Sequence, residues 1–196
     1  MVTETRLNKI KNVVSNRQKD IVVVLEDTYD PHNAEAVFRS CDAFGVKHLH
    51  LIFINQKTFN PKKIGKSSSS SANKWLDFTI HNSTEECLTT LKKDGYTIFA
   101  TTLENDSKSI YDTNFTASKK VAILLGNEHS GLTQKAIELS DEKVIIPMCG
   151  MVQSFNLSVT ASIFLYEVYR QRHPNIKSHL LSQEKQKKLV TDYILR

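Results

Sequence analysis

The chain has 196 residues, of which 40% are hydrophobic and 24% charged, and a net charge of +5. That size and balance suit one folded domain with helical extensions, and they exclude collagen-like or largely disordered character. No apolar run approaches the roughly 18–20 residues of a membrane span, and the start, MVTETRLNKIKN, has no apolar signal core, so a cytoplasmic protein without membrane contact is expected.

The positive charge gathers at the two ends. Residues 1–20 carry Arg6, Lys9, Lys11, Arg17 and Lys19 against Glu4 and Asp20. Residues 170–196 carry Arg170, Arg172, Lys177, Lys185, Lys187, Lys188 and Arg196 against Glu184 and Asp192. The middle is left mildly acidic. Basic ends around such a core fit a polyanionic partner, although lysine-rich surface helices also serve solubility alone.

In chain order, residues 3–18 read as an amphipathic helix with Leu7, Ile10, Val13 and Val14 on one face. IVVVLE (21–26) is a continuous apolar run of strand length, suited to burial on both faces of a parallel sheet. After the loop DTYDPHN, Asn33 is placed to cap a helix that ends at Gly45. HLHLIFI (48–54) is the next strand, in which His48 and His50 alternate as strand residues do. KSSSSSANKW (66–75) is of low complexity and is expected to be a mobile loop.

TEECLTTLKK (84–93) reads as a helix closed by Gly95. YTIFATT (96–102), VAILLG (121–126) and KVIIP (143–147) read as strands, and LTQKAIELS (132–140) as a short helix. LSVTASIFLYEVYRQR (157–172) is a longer helix stopped by His173-Pro174, and a last helix covers about 180–194. Strands alternating with helices predict an α/β domain around a mainly parallel sheet.

Several familiar sites are absent from the sequence. The three cysteines, Cys41, Cys87 and Cys149, form no C-x-x-C pair, so each is expected to be a small buried residue. The GKS at 65–67 lacks the first glycine of a phosphate loop, Asn60 standing there. No G-x-G-x-x-G, HExxH or Cys/His ligand spacing occurs, and no metal is expected.

Three segments carry more polar chemistry than a core needs. Asn33 and Arg39 lie six residues apart, about 600° around a helix, and both can face the sheet's mouth only if Asn33 projects from the helix end. Arg39 lies among Val37, Phe38 and Cys41; it serves a ligand or bridges on the surface to Glu35 or Asp42. LLGNEHSGL (124–132) follows an apolar strand, with Gly126 and Gly131 as turn residues around Asn127 and Glu128. IIPMCGMVQSFNLSVTASIFLYEV (145–168) crowds Gln153, Ser154 and Asn156 at the start of an apolar helix, where Ser154 or Asn156 is the cap.

Together, in this order and spacing, the three segments resemble the three motifs of the SpoU (TrmH-like) branch of the SPOUT RNA 2′-O-methyltransferases. The resemblance covers nearly the whole chain. The front segment and the basic helical tail are similar to the TrmH type, which methylates the 2′-OH of guanosine 18 in the tRNA D-loop. The chain departs from that type at Asn127, often Gln, and at SFNLS, usually SLNVS.

The resemblance implies a mainly parallel sheet flanked by helices, with a C-terminal trefoil knot that binds S-adenosylmethionine, and a homodimer. It implies a basic helix over 1–20, a methyltransferase domain over 21–172 and a basic helical extension over 173–196. It implies catalytic roles for Arg39, Asn33, Glu128, Ser154 and Asn156, with Asn33 orienting Arg39. The implied cofactor contacts are Thr101, Gly126, Ile146, Met148 and Phe155. Arg6, Lys9, Arg17, Arg170, Arg172 and Lys177 at the basic ends would then grip tRNA. The alternatives are methylation of rRNA or of another tRNA position, and a non-catalytic RNA-binding module.

Overall fold

The apolar run Ile21–Glu26 forms β1, and every residue of it is buried in the computed structural model, which describes residues 2–64 and 72–196. Burial on both faces follows from its place inside a seven-stranded sheet in the order β3-β2-β1-β6-β4-β7-β5, the others being β2 (His48–Ile52), β3 (Asp77–His81), β4 (Tyr96–Thr101), β5 (Lys108–Ser109), β6 (Lys120–Leu125) and β7 (Glu142–Ile145). Every pairing is parallel; Val23, for example, faces Leu49 on one side and Ile123 on the other.

Helices α2 (Pro31–Ala43) and α5 (Leu157–Arg172) cover one face, packing Val37, Phe38, Phe164 and Leu165 against Val23, Leu25, Leu49 and Ile123. Helices α3 (Thr84–Lys93) and α4 (Gln134–Leu139) cover the other, packing Cys87, Leu88, Leu91 and Ala136 against Val22, Val24, Ile98 and Leu124. The alternating in–out residues of β1 and β6 thus feed two separate apolar layers.

The terminal helices meet. Ile10 and Val14 of α1 (Glu4–Ser15) pack on Leu189 and Tyr193 of α7 (Gln183–Leu195), beside Trp75. A one-turn helix α6 (Ile176–His179) leads into α7.

Two sequence expectations need correction here, and a third is not tested. The cap of α2 is Asp30, whose carboxylate accepts from the His32 N–H at 2.8 Å, with Pro31 at the first helical position; Asn33 is already inside the first turn. Asp-Pro is the stronger start signal, because proline needs no N–H partner there. The segment DFTIH at 77–81 was not expected as a strand; it is β3, an edge strand whose residues are only part-buried. The serine run 67–71, expected to be a mobile loop, lies outside the described residues.

The basic ends also need correction, because two of the six arginines and lysines assigned to RNA are buried. The Arg17 side chain is fully buried, pairs with Asp42 and donates to the carbonyls of Asp42 and Val46. The Arg172 side chain is fully buried too, and donates to Asp20 and Gln18, each at 2.9 Å. His179 Nδ1 meets the second oxygen of Asp20 at 2.8 Å. Arg17 ties the N-terminal segment to the end of α2 and the loop after it, Arg172 ties α5 to the residues just before β1, and both are unavailable to phosphate. Arg6, Lys9 and Lys177 are exposed, and the exposed Arg170 pairs with Glu167 at 2.7 Å.

Candidate active site and ligand cavity

Parallel sheets leave their chemistry at the C-terminal ends of the strands. A cavity of about 650 Å³ opens there, at the ends of β4, β6 and β7 and the start of α5. Thr101, Gly126, Ile146, Met148 and Phe155 all line it, and so do Asn33, Glu128, Gln153, Ser154 and Asn156.

A chain of side-chain hydrogen bonds links the three motifs. The Asn33 amide donates to Glu128 at 2.9 Å, and the Asn156 amide donates to the Asn33 carbonyl oxygen at 2.9 Å. Asn156 in turn caps α5 by accepting from the N–H and hydroxyl of Ser158, at 2.8 and 2.7 Å. Glu128 also accepts from the main-chain N–H groups of Tyr29 and Asp30, at 2.8 and 3.3 Å. A carboxylate with three donors is held in one orientation. Asn33 is therefore committed to Glu128 and Asn156, and among the described residues it makes no bond to Arg39, contrary to the orienting role expected of it.

Arg39 stands apart. It is exposed, lines no part of the cavity, and has no acidic partner among the described residues. The expected bridges to Asp42 or Glu35 do not form: Asp42 holds Arg17, and the buried Glu35 has His32 at 3.7 Å. Its neighbour Ser40 meets Ser162 of α5 at 2.8 Å, so the helix that carries Arg39 is fixed to the helix that carries Asn156.

The loop after β6 owes its shape to three residues. Asn127 and Gly131 exchange main-chain bonds of 2.9 and 3.0 Å, closing a tight turn with Gly131 at φ 71°. The Asn127 side chain accepts from His129 and Ser130 N–H and donates to the Asp27 carbonyl. Asn127, the departure noted in the sequence, is a turn builder. A Cβ on Gly126 would overlap the main chain of Gly131 and Leu132. Gly126→Ala is expected to push this loop off its path, costing about 1–3 kcal/mol of stability; calorimetry on the purified variant measures it.

Glu26, fully buried at the end of β1, sets the helices behind the cavity. It accepts from the Thr84 hydroxyl at the first turn of α3 and from the Thr133 N–H and hydroxyl, both at 2.9 Å, at the cap of α4. A carboxylate between two helix N-termini is favourably placed. The sequence showed it only as the last letter of a strand. Sequence reasoning also missed Leu103, which lines the cavity although 55% exposed; a large apolar residue just past a strand end was the available signal. It missed Tyr29 and His129 as well, whose rings meet edge to face at 5.2 Å beside Asn33 and Glu128.

A profile of the SpoU rRNA Methylase family matches residues 20–166. The chain belongs to that family. Among its SpoU relatives, the tRNA (guanosine(18)-2′-O)-methyltransferase of Thermus thermophilus is 38% identical over 172 residues, 87% of this chain and 84% of that one. The crystal structure of the A. aeolicus TrmH/SpoU tRNA modifying enzyme superposes with a TM-score of 0.87 at 33% identity, covering 97% of this chain and 95% of that one. The AdoMet-bound rRNA methyltransferase from Sinorhizobium meliloti superposes with a TM-score of 0.70 at 25% identity, covering 88% of this chain and 61% of that one.

Proposed function

We propose that this SpoU-family chain methylates the 2′-OH of guanosine 18 in tRNA, with S-adenosylmethionine as donor. The observation that carries this is the bonded chain Glu128–Asn33–Asn156 at the rim of the cavity, which draws three distant segments into one polar site. The names of the Thermus thermophilus and A. aeolicus relatives support tRNA as the substrate class.

The cavity suits the donor. Its volume of about 650 Å³ falls in the range of roughly 300–1,000 Å³ typical of small-molecule sites. Ile146, Met148, Phe155 and Leu103 offer apolar walls. Among the described residues, no main-chain N–H of residues 148–155 bonds to another main-chain group, so this stretch has donors free for an adenine edge or a carboxylate. Thr101 and Gly126 complete the binding wall. When bound, S-adenosylmethionine supplies an electrophilic methyl group.

A ribose 2′-OH is a weak nucleophile and must lose its proton as it attacks. Asn156 and Ser154 hold the ribose, and Glu128 fixes Asn33, and through it Asn156, in one orientation. Arg39 grips the nucleotide's phosphate with its planar, permanently charged fork. A guanidinium offers donors and no acceptor, so Arg39 is a positioning donor, and the hydroxyl's proton leaves through the phosphate it orients. Placement of this kind supplies much of a group-transfer barrier.

The assembled enzyme is a homodimer, supported by the exposed apolar residues Met151, Val152, Phe155, Val159 and Tyr166. Residues 146–156 thread the C-terminal trefoil knot, and the enzyme works in the cytoplasm. Arg6, Lys9, Arg170 and Lys177 contact tRNA phosphates. Affinity for tRNA is accordingly expected to fall steeply with salt. Lys9→Ala and Lys177→Ala should each lower the slope of log affinity against log salt by about one; unchanged slopes would remove these residues from the interface.

The test is to incubate the protein with S-adenosylmethionine and unmodified tRNA, with rRNA in parallel, then digest the RNA and analyse its nucleosides by mass spectrometry. 2′-O-methylguanosine from tRNA is expected. Methylation of rRNA alone would overturn the substrate, and binding of both ligands without any methyl transfer would favour an RNA-binding module.

A further inference from the structure

The face of the sheet edge covered by α3 carries a second cluster of donor groups. His48 and His50 on β2 and His81 on β3 stack in a row, with ring centroids 4.8 and 5.2 Å apart and planes within 20°. His50 Nδ1 lies 3.0 Å from His81 Nε2. The buried thiol of Cys87 on α3 closes the group: one donor atom each from His50, His81 and Cys87 lie within 4.8 Å of one another. None of the three lines the ligand cavity.

We propose that His50, His81 and Cys87 form a binding site for a divalent transition metal of the zinc class, which ties the edge strand β3 and its neighbour β2 to α3. Two imidazoles and a thiolate are the donors zinc favours over the oxygen ligands of magnesium or calcium. Zinc–nitrogen and zinc–sulfur bonds of about 2.0–2.3 Å put tetrahedral donors roughly 3.3–3.8 Å apart, so side-chain adjustments of about an ångström complete the site. An imidazole ring nitrogen supplies the lone pair at each histidine. The metal displaces the Cys87 thiol proton to solvent as the sulfur–metal bond forms. A water takes the fourth position. The sequence hid this set because its members come from three elements with no local ligand spacing.

Cobalt(II) is the probe, titrated into the full-length, chelator-treated protein. One equivalent should give the visible absorption of tetrahedral cobalt and a thiolate charge-transfer band, both bleached by zinc. Zinc should also raise Tm. His81→Ala should weaken cobalt binding by more than the roughly 10- to 100-fold that loss of an outer partner costs. Cys87→Ser should abolish the charge-transfer band, while Cys149→Ser retains it. The half-buried His81 is a mild site for substitution, and circular dichroism verifies the fold. Absence of tetrahedral cobalt absorption in the native protein, or its persistence in folded His81→Ala and Cys87→Ser variants, overturns the proposal.

Discussion

Arg39→Ala is expected to reduce methyl transfer to tRNA by about 10²–10³ in kcat while leaving S-adenosylmethionine affinity nearly unchanged. The split follows from position. Arg39 is exposed, is unpaired among the described residues, and contributes nothing to the cavity wall. Its loss removes no packing and no contact with the donor. What is lost, on the proposed function, is the positive fork that would place the acceptor nucleotide, and misplacement by about 1 Å can cost 10² in rate. Arg39→Lys keeps the charge but not the bidentate geometry, and should recover only part of the rate. Single-turnover kinetics, with calorimetric titration of the donor, separate the two effects. A variant that turns over normally would remove Arg39 from the chemistry.

Arg172→Met is expected to cost about 3–5 kcal/mol of stability. The Arg172 side chain is fully buried, and that of Asp20 is 9% exposed. Burial lowers the guanidinium's pKa from its ordinary value, opposed by Asp20, so the ion pair is what keeps both charges tolerable inside the protein. Removing the cation leaves the Asp20 carboxylate buried, with the His179 imidazole as its remaining side-chain partner among the described residues. For a chain of this size the loss corresponds to a Tm lower by roughly 6–20 °C. Denaturant unfolding measures it. An RNA-binding arginine would behave in the opposite way, with weaker and less salt-dependent tRNA binding at unchanged stability.

Arg172 and Arg17 show where sequence reading stops. Counting charge treats each arginine as a surface group, yet the partner that buries Arg172 is 152 positions away, and the partner of Arg17 is 25. No local pattern announces such pairs. Elements with strong local signals were legible: β1 as an unbroken apolar run, α3 as 84–93, and α5 from its cap at Asn156 to its basic last turn at Arg172. Strand β3 was not, although DFTIH alternates polar and apolar residues: five residues with only two apolar ones, at a sheet edge that is only half covered, make a weak signal. The candidate site was legible as three motifs. Its internal bonding was not: Asn33 was expected to serve Arg39, whereas the fold gives it to Glu128 and Asn156, 95 and 123 positions away.

The most direct test uses two tRNA transcripts that differ by one oxygen atom, one with guanosine and one with 2′-deoxyguanosine at position 18. With labelled S-adenosylmethionine, the account predicts methyl incorporation into the first and none into the second, with both bound equally at low salt. Equal incorporation into both transcripts would contradict it, since the methyl would then be going to an atom other than the 2′ oxygen of guanosine 18.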